Sequence, residues 1–363
     1  MSSEERPSSA RPSAPSPRGR ATGENPANRF TTRRVDSEEE PPESVPTLYL
    51  DDASGSILST NDSPDVPFDV SLNPYRGCEH GCVYCYARPT HEYLGYSAGL
   101  DFESRILVKR RAPELLRQEL SRRSYTPGVI ALCGVTDPYQ PIERKLELTR
   151  RCLAVLAECR NPVAVVTKNA LVERDLDLFT ELARHRAAAV YLSITTLDAE
   201  LARRLEPRAS HPRERLAAIR ALAKAGIPVG VLVAPVIPAL TDHEIPAILR
   251  EAAAAGAKVA HAIVLRLPGA VAELFTSWLA EHYPDRLDKV LNRQRSQKGG
   301  KLNDPRFGHR MRGEGVFAEQ IKALFAASCR RAGLNAERFE LSAASFRCPQ
   351  GPQLGLFDAE ERC

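Results

Sequence analysis

The 363-residue chain has no apolar run of membrane-spanning length, and its N-terminus lacks the apolar stretch of a secretory signal. A transmembrane or exported protein is not expected, and the expected location is the cytoplasm. The chain also lacks a large excess of either charge: 50 Lys and Arg face 46 Asp and Glu, a net of +4. A polyanion would have to be met by a local patch and not by the molecule as a whole. Nine cysteines are present, but they are odd in number and unevenly spread. With no secretory signal beside them, reduced thiols or metal ligands fit better than a disulfide framework. A hydrophobic fraction of 43% in a chain of this length supports a sizeable buried core.

Residues 1–46 are rich in Ser, Pro, Arg and Glu and poor in core formers, so they are expected to form a disordered tail. Beyond them a short β-branched or apolar run alternates with a helical stretch. Strands are expected at 68–74, 128–136, 162–168, 189–196, 228–237 and 258–267. Helical patterns cover 142–160, 172–186, 211–226 and 242–256, the last two ending at Gly226 and Gly256, which suit a helix C-terminus. Continuous apolar strands alternating with helices signal a parallel sheet covered by helices. About six such units in roughly 200 residues predict an α/β fold, a partial (β/α)6 barrel of TIM type over residues 47–270, with chemistry at the C-terminal ends of its strands. Residues 271–347 are expected to form a basic, mostly helical cap, and 348–363 a linker with a terminal peptide.

One stretch within this frame is chemically distinctive. "CEHGCVYCY" places Cys78, Cys82 and Cys85 four and three residues apart, in a polar, glycine-containing loop directly after the first strand. A structural zinc site wants four ligands. The next cysteine, Cys133, is almost fifty residues on and inside a strand, although His80 and His91 could complete a zinc site. An iron–sulfur cubane is usually held by four thiolates, so three would leave one iron open.

The spacing C-x3-C-x2-C, with an aromatic just before the last cysteine, resembles the signature of radical S-adenosylmethionine (SAM) enzymes. That resemblance implies a 4Fe-4S cluster held by Cys78, Cys82 and Cys85, whose open iron chelates SAM. Reduction by an electron donor then cleaves SAM to methionine and a 5′-deoxyadenosyl radical. The stretches "CVYCYA", "TDPYQPIE", "VVTKN" and "LSITT…LEPRASHPRERL" are together similar to the spore photoproduct lyase family, whose radical chemistry repairs a thymine dimer in DNA. By that likeness Thr136 and Asp137 would lie beside the methionine part of SAM, Lys168 would meet its carboxylate and Ser193 would hydrogen-bond it. Each also has a plain reading: a solvated strand-end lysine, satisfied loop hydroxyls, and a turn-forming aspartate before Pro138. Tyr84 and Tyr86 match the family's aromatic positions and are candidate hydrogen relays, or else packing rings.

The chain departs from the family where the lyase places its hydrogen-donating cysteine, three residues before the aspartate. Gly134 stands there, and the available thiol, Cys133, comes one residue earlier. Adjacent strand residues face opposite ways, so Cys133 is expected to point away from the barrel cavity unless a bulge intervenes. DNA lesion repair is the function this likeness implies. The alternatives are radical chemistry on RNA, protein or a small metabolite, or a non-enzymatic zinc-stabilised DNA-binding module.

Residues 285–315 hold nine Lys and Arg against four acids, with glycines and Phe307 interleaved. That composition suits a surface lying along DNA phosphates, or a solvated helix and loop. Near the C-terminus, Gln353, Leu354, Leu356 and Phe357 resemble the short peptide by which bacterial repair proteins dock on the DNA sliding clamp; packing back onto the barrel competes with that reading.

Overall fold

The computed structural model describes residues 16–31 and 43–349. Six parallel strands form the main sheet: β1 (Val70–Leu72), β2 (Ile130–Leu132), β3 (Val163–Thr167), β4 (Ala188–Ser193), β5 (Val229–Val236) and β6 (Val259–Val264). They lie side by side in sequence order, and the short strand Leu58–Thr60 pairs antiparallel with β1 at one edge. Helices connect them in the order α1 (Ala112–Leu120), α2 (Leu148–Cys159), α3 (Leu176–Arg184), α4 (Pro212–Lys224) and α5 (Ile245–Ala254). This is the expected partial (β/α)6 barrel.

Strand register divides the side chains into two faces. Val70, Ile130, Val163 and Ala188 stand in one row across β1–β4, and all belong to, or pack on, the core between sheet and helices. Each fully buried aliphatic residue in such a core contributes about 1.5–3 kcal/mol. The next row, Ser71, Ala131, Ala164 and Ala189, faces the barrel interior. Its small side chains leave room there. Higher up, Val166, Tyr191, Gly230 and Val259 share a row. A Cβ on Gly230 would fall 2.7 Å from the Tyr191 ring, so the glycine admits that ring.

The helices follow the predicted patterns with one break. The 142–160 pattern is split by Glu147 at φ 51 into Glu143–Leu146 and α2. Buried Glu143 accounts for the break, because its carboxylate accepts the Thr149 N–H at 3.1 Å and so caps the first turn of α2. Gly226 and Gly256 have φ of 77° and 108°, as expected of residues just past a helix end.

Two expectations about the outer segments need correction. The cap expected over 271–347 contains α6 (Val271–His282) and α7 (Leu287–Gln297), but α8 (Val316–Ala332) returns to the barrel wall beside α5. Ile321 and Cys329 join the barrel core, and Asn335 just beyond exchanges two hydrogen bonds with the Ala260 backbone on edge strand β6. Amphipathic α8 thus serves as the sixth barrel helix; its sequence gave no sign of the partner it would find.

The tail expected to be disordered also contains a fixed stretch, since residues 16–31 run along the loop that follows the cysteines. Arg20 donates to the carbonyls of Glu103 (2.5 Å) and Val45 (2.8 Å), Ala21 N to Glu103 Oε2 (3.1 Å), and Leu100 N to Glu24 O (2.9 Å). Few apolar residues are needed, because polar groups of the strap meet buried polar groups of the loop. The residues Gln353–Phe357 lie outside those described. Among the described residues, no helix is long and apolar enough to cross a membrane.

Candidate active site

The cysteine loop leaves the C-terminal end of β1 and is fastened along its length. Cys78 N bonds Phe102 O (2.9 Å), Glu79 N bonds Gln140 Oε1 (3.0 Å) and Val83 N bonds Leu205 O (3.1 Å). Arg88, fully buried, closes the turn from beneath. Its Nε donates to Cys82 O (2.9 Å), Nη2 to Gly81 O (3.1 Å) and Nη1 to Gly99 O (2.9 Å), and it pairs with Glu103 at 2.5 Å. Gly81, at φ 65, has no space for a side chain, since a Cβ would meet Glu103 Oε2 at 2.6 Å.

Cys78, Cys82 and Cys85 are free thiols. Burial raises the pKa of each, and the neighbouring Cys82, Cys85 and Asp137 raise Cys78 further. Such thiols become thiolates only if positive charge is brought among them. No trio of His, Cys, Asp and Glu among the described residues is arranged to hold a single metal ion. His80, one expected zinc partner, is already committed: its Nδ1 lies 3.3 Å from Asp137 Oδ2 and its Nε2 3.2 Å from Asn169 Nδ2. A donor set of three thiols with no fourth side chain fits a multi-iron cluster bound at three corners better than zinc.

Above the loop, Lys168 and Ser193 are brought together at the ends of β3 and β4. Lys168 Nζ donates to Ser193 Oγ (2.8 Å), Thr195 Oγ1 (3.1 Å) and Ala234 O (3.0 Å), and lies 3.1 Å from Glu206 Oε1. Glu206 is buried and also pairs with buried Arg215 and accepts from the Tyr84 hydroxyl. Burial pushes the Glu206 carboxyl up, but Arg215 and Lys168 outweigh it and hold it well below the usual carboxylate range. Tyr84 therefore lies over this knot, its ring 5.6 Å from Lys168 Nζ and its hydroxyl engaged.

Asp137 and Thr136 are turned toward the scaffold. Asp137 accepts from Tyr139 N (2.9 Å), Thr167 Oγ1 (2.7 Å) and Lys168 N (2.8 Å), so both oxygens join β2 to β3. Burial opposes its charge, but His80 and these donors keep the carboxyl below its usual value. The Thr136 hydroxyl donates to Gly77 O at 2.7 Å, tying the loop after β2 to the cysteine loop.

Cys133 corrects the expectation that it points away. Ile130 and Leu132 belong to the outer core, so alternation puts Ala131 on the interior face and, carried one residue past the end of β2, Cys133 with it. Gly134, at φ 119, then takes the backbone out of the strand. Cys133 reaches the electrostatic surroundings of Tyr86, as do Cys85, Arg266 and Arg310. Burial, with Asp137 adding, pushes the Cys133 thiol up to about 12, so it remains an S–H group at neutral pH. Tyr86 is 49% exposed at the barrel mouth, with the Arg266 guanidinium 5.1 Å from its ring centre.

The basic stretch 285–315 flanks this mouth, but its charge is less free than its composition implies. Arg306 pairs with Asp304 (2.7 Å) and Arg310 with Asp65 (2.5 Å), and buried Lys298 donates to Arg310 O (2.8 Å). Lys289, Lys301 and Arg312 are exposed, as is Phe307 at 55%. The sequence reading missed Glu206, Arg215, Thr195 and Arg266. Thr195, Glu206 and Arg215 lie within the stretch "LSITT…LEPRASHPRERL" that carries the likeness, but no single residue there stands out until Lys168 and Tyr84 meet it; "RLP", around Arg266, carries no spacing signal of its own.

The family model for the radical SAM superfamily matches residues 72–252. An uncharacterised protein of Mycobacterium tuberculosis (strain H37Rv) is 40% identical over 222 residues, covering 61% of this chain and 65% of the relative, so the match leaves about a third of that protein unspanned. A radical SAM Nα-GlyT isomerase of Pseudomonas phage M6 is 28% identical over 177 residues, 48% of this chain and 35% of that protein. Among solved structures, a spore photoproduct lyase variant with bound AdoMet and dinucleoside spore photoproduct superposes with a TM-score of 0.56. It is 18% identical and covers 84% of this chain and 86% of its own, a likeness of fold.

Proposed function

We propose, from the premise that this chain is an enzyme of the radical SAM type, that it acts on nucleic acid, with a DNA base lesion of the photoproduct class as substrate. A 4Fe-4S cluster and SAM are the cofactors of that type, and together they supply a 5′-deoxyadenosyl radical. In this reading Cys78, Cys82 and Cys85 hold the cluster, and Arg88 and Gly81 keep their loop in shape. Lys168 and Ser193 receive the carboxylate of SAM. Glu206 partners the Lys168 ammonium while that carboxylate is absent, and a Lys168 hydrogen bond to Thr195 or Ala234 gives way when it arrives. Tyr84 and Asp137 act as walls and fasteners.

What supports the reading is that Cys133 lies one residue past the end of β2, within electrostatic reach of Tyr86, and that strand alternation carried to it faces it to the interior. A neutral thiol there can give a hydrogen atom, one proton with one electron, to a substrate radical and become a thiyl. The Tyr86 phenol can return a hydrogen atom to that sulfur, and the phenoxyl left behind is refilled through the electron donor and a proton. This would make Cys133 the counterpart of the lyase's donor despite the one-residue offset. The nucleic-acid substrate rests on the bound dinucleoside of the structural neighbour, on the exposed Tyr86 at the barrel mouth, and on exposed Lys301 and Arg312 in the flanking basic stretch. The docking peptide 353–357 would bring the enzyme to DNA through the sliding clamp; this part rests on sequence alone.

The test is anaerobic. Reconstituted protein is reduced with SAM, and 5′-deoxyadenosine is quantified with undamaged and with ultraviolet-irradiated DNA. Formation stimulated by irradiated over undamaged DNA supports the lesion reading. Formation indifferent to any nucleic acid would refute the substrate class while leaving the radical chemistry in place.

A further inference from the structure

We propose that Arg266, laid on the face of Tyr86, is the substrate-recognition residue of the barrel mouth and takes a phosphate group. This rests on the reading that the mouth is where the substrate enters. Arg266 follows β6, and its backbone is held on both sides: Leu265 N bonds Val236 O (3.0 Å) and Leu267 N bonds Asn303 Oδ1 (3.3 Å). Leu265 and Leu267 are buried, so the residue between them is aimed and not free to wander.

Its guanidinium differs from those around it. Buried Arg88 and Arg215 have Glu103 and Glu206, and Arg306 and Arg310 at the mouth have Asp304 and Asp65. Among the described residues the Arg266 side chain has no ion pair or hydrogen bond: its guanidinium lies 5.1 Å from the Tyr86 ring centre, its Nε is buried without a partner, and Asp65, already paired with Arg310, acts on it only at longer range. Burial and then the repulsion of Arg310 both disfavour its charge. An uncompensated, partly desolvated cation is costly to keep, and an arriving anion relieves that cost. The planar fork, flattened against an aromatic ring, matches the paired oxygens of a phosphate. Phosphate is favoured over carboxylate because Lys301 and Arg312 continue the positive surface along the adjoining loop, which suits a chain of repeating anions.

A phosphodiester of a nucleic acid and the phosphate of a free nucleotide share this chemistry, and the test separates them. The cluster-loaded protein with SAM, unreduced, is titrated against a fluorescein-labelled thymidine-rich DNA 12-mer, against thymidine monophosphate and against inorganic phosphate. Wild type is compared with Arg266→Gln and Arg266→Lys at several salt concentrations, with iron content as the check on folding. The expected result is about a tenfold loss of 12-mer affinity in Arg266→Gln, partial recovery in Arg266→Lys, and a salt slope reduced by about 0.7 for one single-strand phosphate. Equal affinity and slope in wild type and Arg266→Gln would overturn the inference while leaving the nucleic-acid reading intact. Arg266-dependent binding of the monophosphate with no binding of the 12-mer would keep the inference and refute the nucleic-acid reading. Binding of none of the three probes would overturn it.

Discussion

Replacing Arg88 with Met tests whether the cysteine loop is held by one buried ion pair. Arg88 is fully buried, donates to four backbone carbonyls and pairs with Glu103, which is equally buried. Removing one partner of such a pair costs about 3–5 kcal/mol, because the other charge is left uncompensated. For a chain of this size that corresponds to a fall in Tm of roughly 6–10 °C, at about 2 °C per kcal/mol. The deficit should depend on pH. Burial already raises the Glu103 carboxyl above its usual value, with Arg88 pulling it back, and losing Arg88 raises it further. An acid whose folded pKa exceeds its unfolded one favours the folded state at low pH. The extra instability of Arg88→Met should therefore be smallest near pH 5 and grow as pH rises through the elevated Glu103 pKa. Differential scanning fluorimetry at pH 5.5 and 8, with Arg88→Met/Glu103→Gln alongside, reads this directly. The double variant should recover part of the loss at pH 8. A loss below about 1 kcal/mol, or one equal at both pH values, would refute the argument that this pair organises the loop.

Cys82→Ala should lose bound iron and all SAM cleavage, whereas Cys133→Ala should keep its iron and still form 5′-deoxyadenosine but fail to complete product; iron assay and product chromatography distinguish them. Because the Cys133 thiol is pushed up to about 12, its alkylation by iodoacetamide should be slow at pH 7 and rise roughly tenfold per pH unit up to that value, with peptide mass spectrometry as the readout. Lys168→Met should keep its iron and raise the SAM concentration needed for half-maximal cleavage by about tenfold or more, as loss of a charge-assisted contact requires. Arg20→Ala should speed hydrogen exchange in residues 78–104 and hasten iron loss, since it removes bonds to Glu103 O, Val45 O and Thr47 Oγ1; exchange unchanged there would mean the strap is decoration.

Local pattern was enough for much of this. The six strands appear within a few residues of their predicted runs, because a strand buried on both faces must be continuously apolar. Cys78, Cys82 and Cys85 were legible as a candidate site because their spacing is itself the signal: in the proposed reading one loop would supply every protein ligand. Lys168 and Ser193 were legible as strand-end polar residues, since the C-terminal end of a parallel barrel collects such groups.

Other features depended on contacts that no local pattern contains. Glu206 has its role from Lys168, Arg215 and Tyr84, which gather around it only in the fold. Residues 16–31 looked unstructured because they form no core of their own and borrow the buried polar groups of the 97–104 segment. The face on which Cys133 lies was misjudged because register was counted back from Asp137, and the strand ends before it: Gly134, at φ 119, resets the count. The sequence by itself determined the elements, their order and the three-cysteine loop, since each is encoded by neighbours along the chain. The tertiary structure alone decided which charges are paired and that, among the described residues, Arg266 has no ion pair of its own, because those properties come from residues tens to hundreds of positions apart.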